Sequence, residues 1–117
     1  MPILFVENHA RFARIVAETF LSAHNVTVVP SIVAANTALS QATFDIALVD
    51  FDLDDGKGDE LVATLIKKKD RPTIIAISSH EPGNQALLAA GADGVCSKLD
   101  FKNIVTIMSA ARAKRNV

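Results

Sequence analysis

The sequence contains no tryptophan and no tyrosine, and its 117 residues include a single cysteine, Cys96. One cysteine excludes an internal disulfide and a four-cysteine zinc site, and we interpret Cys96 as a small buried apolar side chain. The aromatic residues are six phenylalanines. The predicted core is therefore built from Val, Ile, Leu and Ala, as is usual for a parallel sheet that is covered on both faces.

Neither sign of charge dominates, because 12 basic and 13 acidic residues give a net charge of −1. This balance favours neither a nucleic-acid partner nor a membrane surface. No apolar run reaches the roughly 18 residues that would span a bilayer. The apolar stretch at residues 2–6 also lacks the preceding basic region of a secretory signal. We therefore expect a cytoplasmic protein without direct nucleic-acid or membrane contacts.

Short apolar runs alternate with segments of helical periodicity along the whole chain. The runs predict five strands, at residues 3–6, 26–29, 44–49, 73–77 and 94–97. The periodic segments predict helices at 10–23, at 32–42 after a Ser31 N-cap, from 58 or 59 through Lys67–Lys69, at 85–90, and from an Asp100 cap to a basic C-terminal end. This repeated βα order predicts one α/β domain over residues 1–117 with a parallel sheet and helices on both faces.

The polar residues of the chain gather where these strands end. Glu7 and Asn8 follow the first strand, Asp50 and Asp52 the third, Ser78 the fourth and Lys98 the fifth. Ligands of open parallel sheets bind beyond the carboxyl ends of the strands. A carboxylate can be a nucleophile that forms an acyl phosphate. Phosphoryl transfer then requires mainly positioning and neutralisation of charge, which a magnesium ion, a lysine and a hydroxyl can supply.

This order of motifs resembles that of bacterial response-regulator receiver domains over the whole chain. The pieces that carry the resemblance are ILFVEN, FDIALVDFDL followed by Gly58, IIAISS, and GADGVCSK. The resemblance implies a flavodoxin-like, chemotaxis-regulator-like (βα)5 fold with the doubly wound strand order 2-1-3-4-5. It further implies that Asp50 is the phosphoacceptor, Ser78 the switch hydroxyl and Lys98 the phosphate-contacting lysine. The implied magnesium site comprises Glu7, Asn8, Asp50 and the backbone carbonyl of Asp52.

Three positions depart from the pattern of that family. Asn8 replaces a second acid, so we expect weak magnesium binding. Leu99 follows Lys98 where the family usually has proline after a cis bond, and a cis bond before a non-proline residue costs about 2.5–4 kcal/mol. Val95 stands where an aromatic switch residue is common. An output signal would therefore pass from Ser78 through a loop at 79–83 into the 85–90 helix.

Three functions compete. The first is a receiver phosphorylated on Asp50 by a histidine kinase or phosphotransfer protein, with no catalysis beyond its own phosphorylation and dephosphorylation, which signals to a partner through the face formed by residues 84–115. The second is a pseudo-receiver that binds partners without phosphorylation. The third, a phosphatase resembling the haloacid dehalogenases, is disfavoured because their nucleophile lies on the first strand. Formation of a homodimer stays open.

Overall fold

Residues 1–116 are described by a computed structural model. Five parallel strands form one sheet: β1 (Pro2–Val6), β2 (Asn25–Val29), β3 (Ile46–Val49), β4 (Thr73–Ala76) and β5 (Gly94–Val95). Their order across the sheet is 2-1-3-4-5, as the sequence predicts.

The register of the strands places their carboxyl ends side by side. Val6 pairs with Val29 on one side and with Val49 on the other, and Val49 in turn pairs with Ala76. Backbone hydrogen bonds between neighbouring strands continue one residue beyond these pairs. Asp50 N–H donates to the Val6 carbonyl at 3.0 Å, and Cys96 N–H donates to the Ala76 carbonyl at 2.8 Å. The residues that follow β1, β3, β4 and β5 therefore meet at one edge of the sheet.

Five α-helices cover the two faces. They are α1 (Ala10–Phe20), α2 (Ile32–Gln41), α3 (Gly58–Leu65), α4 (Glu81–Ala90) and α5 (Ile104–Arg115), with a 3-10 helix at Lys98–Asn103 before the last. Alternate residues of β1 bury on opposite faces because side chains of a strand point to the two faces in turn. Ile3 and Phe5 pack in the core that includes α1 and α5 side chains, and Leu4 and Val6 pack in the core beneath α2, α3 and α4.

The start of α4 corrects the sequence analysis. The helix begins at Glu81, so residues 81–83 belong to its first turn and not to a loop. Pro82 is compatible with a first turn, where its missing N–H would have no helical partner. His80 caps the turn, since its Nδ1 accepts a hydrogen bond from Gly83 N–H at 3.0 Å. Proline and glycine suggested a loop, and histidine is not among the usual N-caps.

Three further helix ends differ from expectation, the first being that of α1, which ends at Phe20 and not at residue 23. Lys67–Lys69 lie in a turn after α3, which ends at Leu65, so these lysines do not occupy its last turn. Asp100 is not the cap of α5: it lies inside the 3-10 helix and accepts a hydrogen bond from Asn103 Nδ2 at 3.0 Å. By contrast, Ser31 caps α2 as predicted, because its hydroxyl accepts from Ala34 N–H at 3.0 Å.

No helix within residues 1–116 is long and apolar enough to cross a membrane. Every peptide bond in the same range is trans, including the bond between Lys98 and Leu99.

A partly buried ion pair secures the amino-terminal edge of the sheet. Arg71 contacts both carboxylate oxygens of Asp93 through its guanidinium nitrogens, at 2.7 and 3.1 Å. Asp93 also accepts from Ile74 N–H at 2.8 Å, which ties the start of β5 to β4. Burial alone would raise the pKa of Asp93, but these donors outweigh it and hold the pKa below its ordinary value.

We expect Asp93→Asn to cost about 1–3 kcal/mol of the free energy of unfolding at neutral pH, because a half-desolvated charged hydrogen-bond pair is lost. A carboxyl group whose pKa is lower in the folded than in the unfolded state stabilises the fold at every pH above its unfolded-state pKa. This stabilisation is lost as the pH falls through the folded-state pKa. The gap between wild type and variant should therefore close below about pH 4. Urea unfolding at several pH values measures it, and a pH-independent gap would contradict this account.

Candidate functional site

Lys98 lies between two buried carboxylates at the carboxyl edge of the sheet. Its Nζ is 2.8 Å from Asp50 Oδ2 and 2.6 Å from Glu7 Oε1. The same ammonium group lies 5.1 Å from the centre of the Phe12 ring. Burial by itself would lower the pKa of Lys98, but the two carboxylates outweigh it and raise the pKa. The lysine is therefore held in its charged form beside both acids.

Glu7 is 1% exposed, more deeply buried than an acid following a strand usually is. Burial raises its pKa above the ordinary value, and this effect exceeds the opposing effects of Lys98 and of the His9 N–H. The second oxygen, Oε2, accepts from His9 N–H at 3.0 Å. The other oxygen, Glu7 Oε1, is in contact with the ammonium group of Lys98. No donor within residues 1–116 has the angle of a hydrogen bond to this oxygen. This oxygen can still accept a cation or a donor.

Asp50 is fixed by its own backbone surroundings. It is 5% exposed, and its Oδ1 accepts from Phe51 N–H at 2.8 Å. The chain then turns through a two-residue antiparallel ribbon, Asp52–Leu53 against Gly56–Lys57, into α3. Gly58, the first residue of α3, donates its N–H to the Phe51 carbonyl at 2.6 Å. A Cβ at Gly58 would lie 2.0 Å from the Asp50 carbonyl oxygen, so only glycine fits there.

Ser78 lies beside this turn, at the end of β4. It is 1% exposed, and a methyl group at Gly83 would lie 2.7 Å from its Oγ and 3.0 Å from Phe51 Cβ. The hydroxyl oxygen accepts from His80 N–H at 3.3 Å, which leaves the hydroxyl proton free to be donated. Ser78 therefore joins Glu7, Asp50 and Lys98 at one sheet edge, as the strand-end pattern predicts.

Sequence reasoning did not identify Asn84, whose side chain holds the Ser78 backbone. Asn84 is 7% exposed, its Oδ1 accepts from Ser78 N–H at 2.8 Å, and its Nδ2 donates to the Ser78 carbonyl at 3.0 Å. The signal available in the sequence was an amide side chain six residues after Ser78. That spacing has no meaning if residues 79–83 form a loop, as the sequence predicts, and acquires one only because α4 begins at Glu81.

The remaining two predicted ligands differ from one another. Asn8 Oδ1 is buried and has no hydrogen-bond partner among residues 1–116, so an amide oxygen is available. The carboxylate of Asp52 is exposed and is engaged elsewhere, because it pairs with Lys57 Nζ and lies 3.3 Å from His80 Nε2. These contacts hold the pKa of Asp52 below its ordinary value. Only its backbone carbonyl, the group that the resemblance implies, is left for a metal ion.

These donors match the oxygen ligands that magnesium prefers. Two buried carboxylates, Glu7 and Asp50, are joined by the amide of Asn8, whose buried Oδ1 has no hydrogen-bond partner among residues 1–116. Within the described residues, no three His, Cys, Asp or Glu side chains are grouped so as to hold a metal ion. The donor set therefore suits a hard cation in kind, but it carries little negative charge once Lys98 is counted.

Comparison with known proteins identifies the family and the fold. The family model of the response regulator receiver domain matches residues 3–109. A CheY-like receiver domain protein from Methanospirillum hungatei superimposes with a TM-score of 0.84 at 18% identity, covering 98% of this chain and 95% of the other. A two-component response regulator from Clostridium difficile gives 0.84 at 15% identity, covering 100% and 99%. The Mn2+-bound form of response regulator Rcp1 gives 0.72 at 19% identity, covering 96% and 89%.

No curated protein matches the sequence. The family match spans most of the chain, and the chain belongs to the response-regulator receiver domains of two-component systems. These three solved structures, each under 25% identical in sequence, add that its fold is that of CheY-like receivers.

Lys98→Met should destabilise the domain strongly, because it leaves Glu7 and Asp50 buried without their cation. Removal of one partner from a buried charge pair typically costs about 3–5 kcal/mol. The matched control is Lys57→Met, which breaks the exposed pair with Asp52 and should cost less than about 1 kcal/mol, since solvent screens that pair. Chemical unfolding of both variants tests the difference. Equal costs would show that Lys98 does not compensate the buried acids.

Proposed function

We propose that the chain is one receiver domain over residues 1–117 that accepts a phosphoryl group on Asp50 from a histidine kinase or phosphotransfer protein. The observation that carries this proposal is the contact of one ammonium group, Lys98, with the buried carboxylates of Asp50 and Glu7. Phosphoryl transfer requires positioning and neutralisation more than covalent help from the protein. A fixed carboxylate, a fixed ammonium group and a nearby hydroxyl supply both.

In the proposed reaction, a carboxylate oxygen of Asp50 attacks the phosphorus atom of a phosphohistidine. The P–O bond forms as the P–N bond breaks, and the imidazole leaves with the electron pair and takes up a proton from solvent. The product is an acyl phosphate. Lys98 then turns from a carboxylate partner into a partner of the phosphoryl oxygens, and the Ser78 hydroxyl donates its free proton to one of them.

A magnesium ion is the cofactor that we propose for this site. Receiver domains generally bind Mg2+, and one similar structure is described as Mn2+-bound. Glu7, Asn8, Asp50 and the carbonyl of Asp52 would hold it. When bound, the ion neutralises the phosphoryl oxygens during transfer. Lys98 competes for the same two carboxylates and Asn8 contributes no charge, so binding should be weak.

The proposed output surface is the face formed by residues 84–115. A groove of about 520 Å3 lies between α4 and β5, lined by Ser79, Glu81, Asn84, Gln85, Leu88, Val95 and Ser97. Leu88 of α4 and Val105 of α5 are 39% and 45% exposed. We propose that a downstream protein, or a second copy of the chain, binds there. The domain acts as a cytoplasmic signalling module, and its chemistry is confined to Asp50.

A phosphorylation-independent pseudo-receiver is the second candidate. Three departures from the family pattern favour it: Asn8 brings no charge to the proposed metal site, Val95 stands where an aromatic residue is common, and the highly exposed Leu99 stands where proline is usual. The two candidates differ in whether Asp50 can be modified.

Incubation with acetyl phosphate and magnesium should increase the intact mass of the wild-type protein by one phosphoryl group. Asp50→Asn should abolish the increase, because an amide is not a nucleophile towards phosphorus. Asp52→Asn is the control, since this carboxylate lies two residues away but is exposed. An unmodified wild-type protein, or modification that persists in Asp50→Asn, would favour the pseudo-receiver.

Asn8→Asp should tighten magnesium binding roughly tenfold, because unit charges about 4 Å apart interact by ~1 kcal/mol even in water and more strongly near a protein. Isothermal titration with MgCl2 measures the change. Asn25→Asp makes the same charge change at the opposite, amino-terminal edge of the sheet and should leave the affinity unaltered. If both variants gain equally, the effect is one of net charge and Asn8 is not at the metal site.

A further inference from the structure

Asn84 forms two hydrogen bonds to the backbone of a single residue, Ser78. A carboxamide has an acceptor and a donor at its tip, so it can bond one residue's N–H and C=O together. Its orientation is fixed by this pair, because the reversed amide would place donor against donor and acceptor against acceptor. The bonds, at 2.8 and 3.0 Å, lie in the interior, since both residues are buried. Buried bonds of this kind are costly to break.

These two bonds replace a neighbouring strand at the place where the sheet stops. Ile77 N–H still donates to the Val49 carbonyl of β3 at 3.1 Å. At Ser78 the partner becomes the side chain of Asn84, which stands in the first turns of α4. The backbone of the switch serine is therefore attached to a helix and not to the rigid sheet. A shift of the Ser78 peptide therefore strains both bonds unless Asn84, and with it the start of α4, moves along.

Asn84 also lines the groove of the proposed output surface. The other lining residues include Gln85, Leu88 and Val95. Val95, a small side chain, lines the groove on the side of β5. A displacement of α4 by Asn84 would therefore change the width of the groove directly, without the rotation of a large ring.

We infer that Asn84 is a positioning residue that holds Ser78 for the phosphoryl group and transmits the movement of Ser78 to α4 and the groove. The inference rests on the proposed function, because it assumes a phosphoryl group or its analogue at Asp50. It replaces the loop at 79–83 as the carrier of the signal, since most of that segment is helix. The hydrogen bond from His80 N–H to Ser78 Oγ responds to the same movement but acts on the hydroxyl alone.

The first test measures amide hydrogen exchange by NMR in the whole chain. In Asn84→Ala the Ser78 amide should exchange at least about tenfold faster, because its acceptor is gone, which corresponds to about 1.4 kcal/mol. The Ile77 amide should stay protected and so confirms that the variant is folded. Asn84→Asp keeps the acceptor but faces the Ser78 carbonyl with a carboxylate, so its Ser78 amide should be more protected than in Asn84→Ala. An unchanged Ser78 amide in Asn84→Ala would overturn the inference.

The second test adds beryllofluoride and magnesium and follows backbone amide shifts. Wild type should respond at Phe51 and Lys98 and also over residues 84–95. Asn84→Ala should keep the response at Phe51 and Lys98 and lose most of the response over 85–95. Asn25→Ala removes an exposed amide side chain at the opposite, amino-terminal edge of the sheet, outside the groove, and should respond like wild type. If the full response of 85–95 survives in Asn84→Ala, the inference is wrong while the proposed function stands. If wild type shows no response at Phe51 and Lys98, the proposed function fails, and the inference fails with it.

Discussion

The contact of Lys98 with Glu7 and Asp50 is the constraint on which the rest of the structure depends. Two carboxylates with little exposure at the edge of an apolar sheet would repel one another and would be poorly solvated. The ammonium group offsets part of both costs, and it can do so only if the strands that carry the three residues keep their register. The contacts of Lys98 with Glu7 and Asp50 therefore stabilise the same strand register that the packing of the two apolar layers favours. In that register Val6, Val49 and Ala76 lie side by side.

The contact of Lys98 with the two carboxylates also determines how the site could respond to a bound anion or cation. A new anion at Asp50 would compete with the carboxylates for Lys98, and a new cation would compete with Lys98 for the carboxylates. Either event changes the partners of a charged group without requiring a change of fold. A ligand can shift such an equilibrium only by its differential affinity for the two arrangements. Ser78 is buried beside Asp50 and is bonded to α4 through Asn84. It is therefore the neighbouring residue that we expect to move when the partners of Lys98 change.

Local sequence patterns were good guides to the elements and poor guides to several of their ends. Gly91 ends α4 with a positive φ of 122°, which glycine adopts without strain. Ser31 caps α2 by the expected bond. The start of α4 was missed because Pro82 and Gly83 are read locally as loop residues, whereas the cap from His80 is a feature of that particular turn. The lysines after α3 were placed in the helix because periodicity alone does not show where hydrogen bonding stops.

The βα alternation, the apolar strands and the residue types that follow each strand can be predicted from the amino-acid sequence. They depend on local periodicity and on the rule that parallel strands share a carboxyl edge. Three contacts are seen only in the folded chain: that of Lys98 with Glu7 as well as Asp50, that of the Asp52 carboxylate with Lys57 and His80, and that of Asn84 with Ser78. Those contacts depend on distances between segments far apart in the chain. The packing of helices on the sheet sets such distances, and no local pattern encodes them.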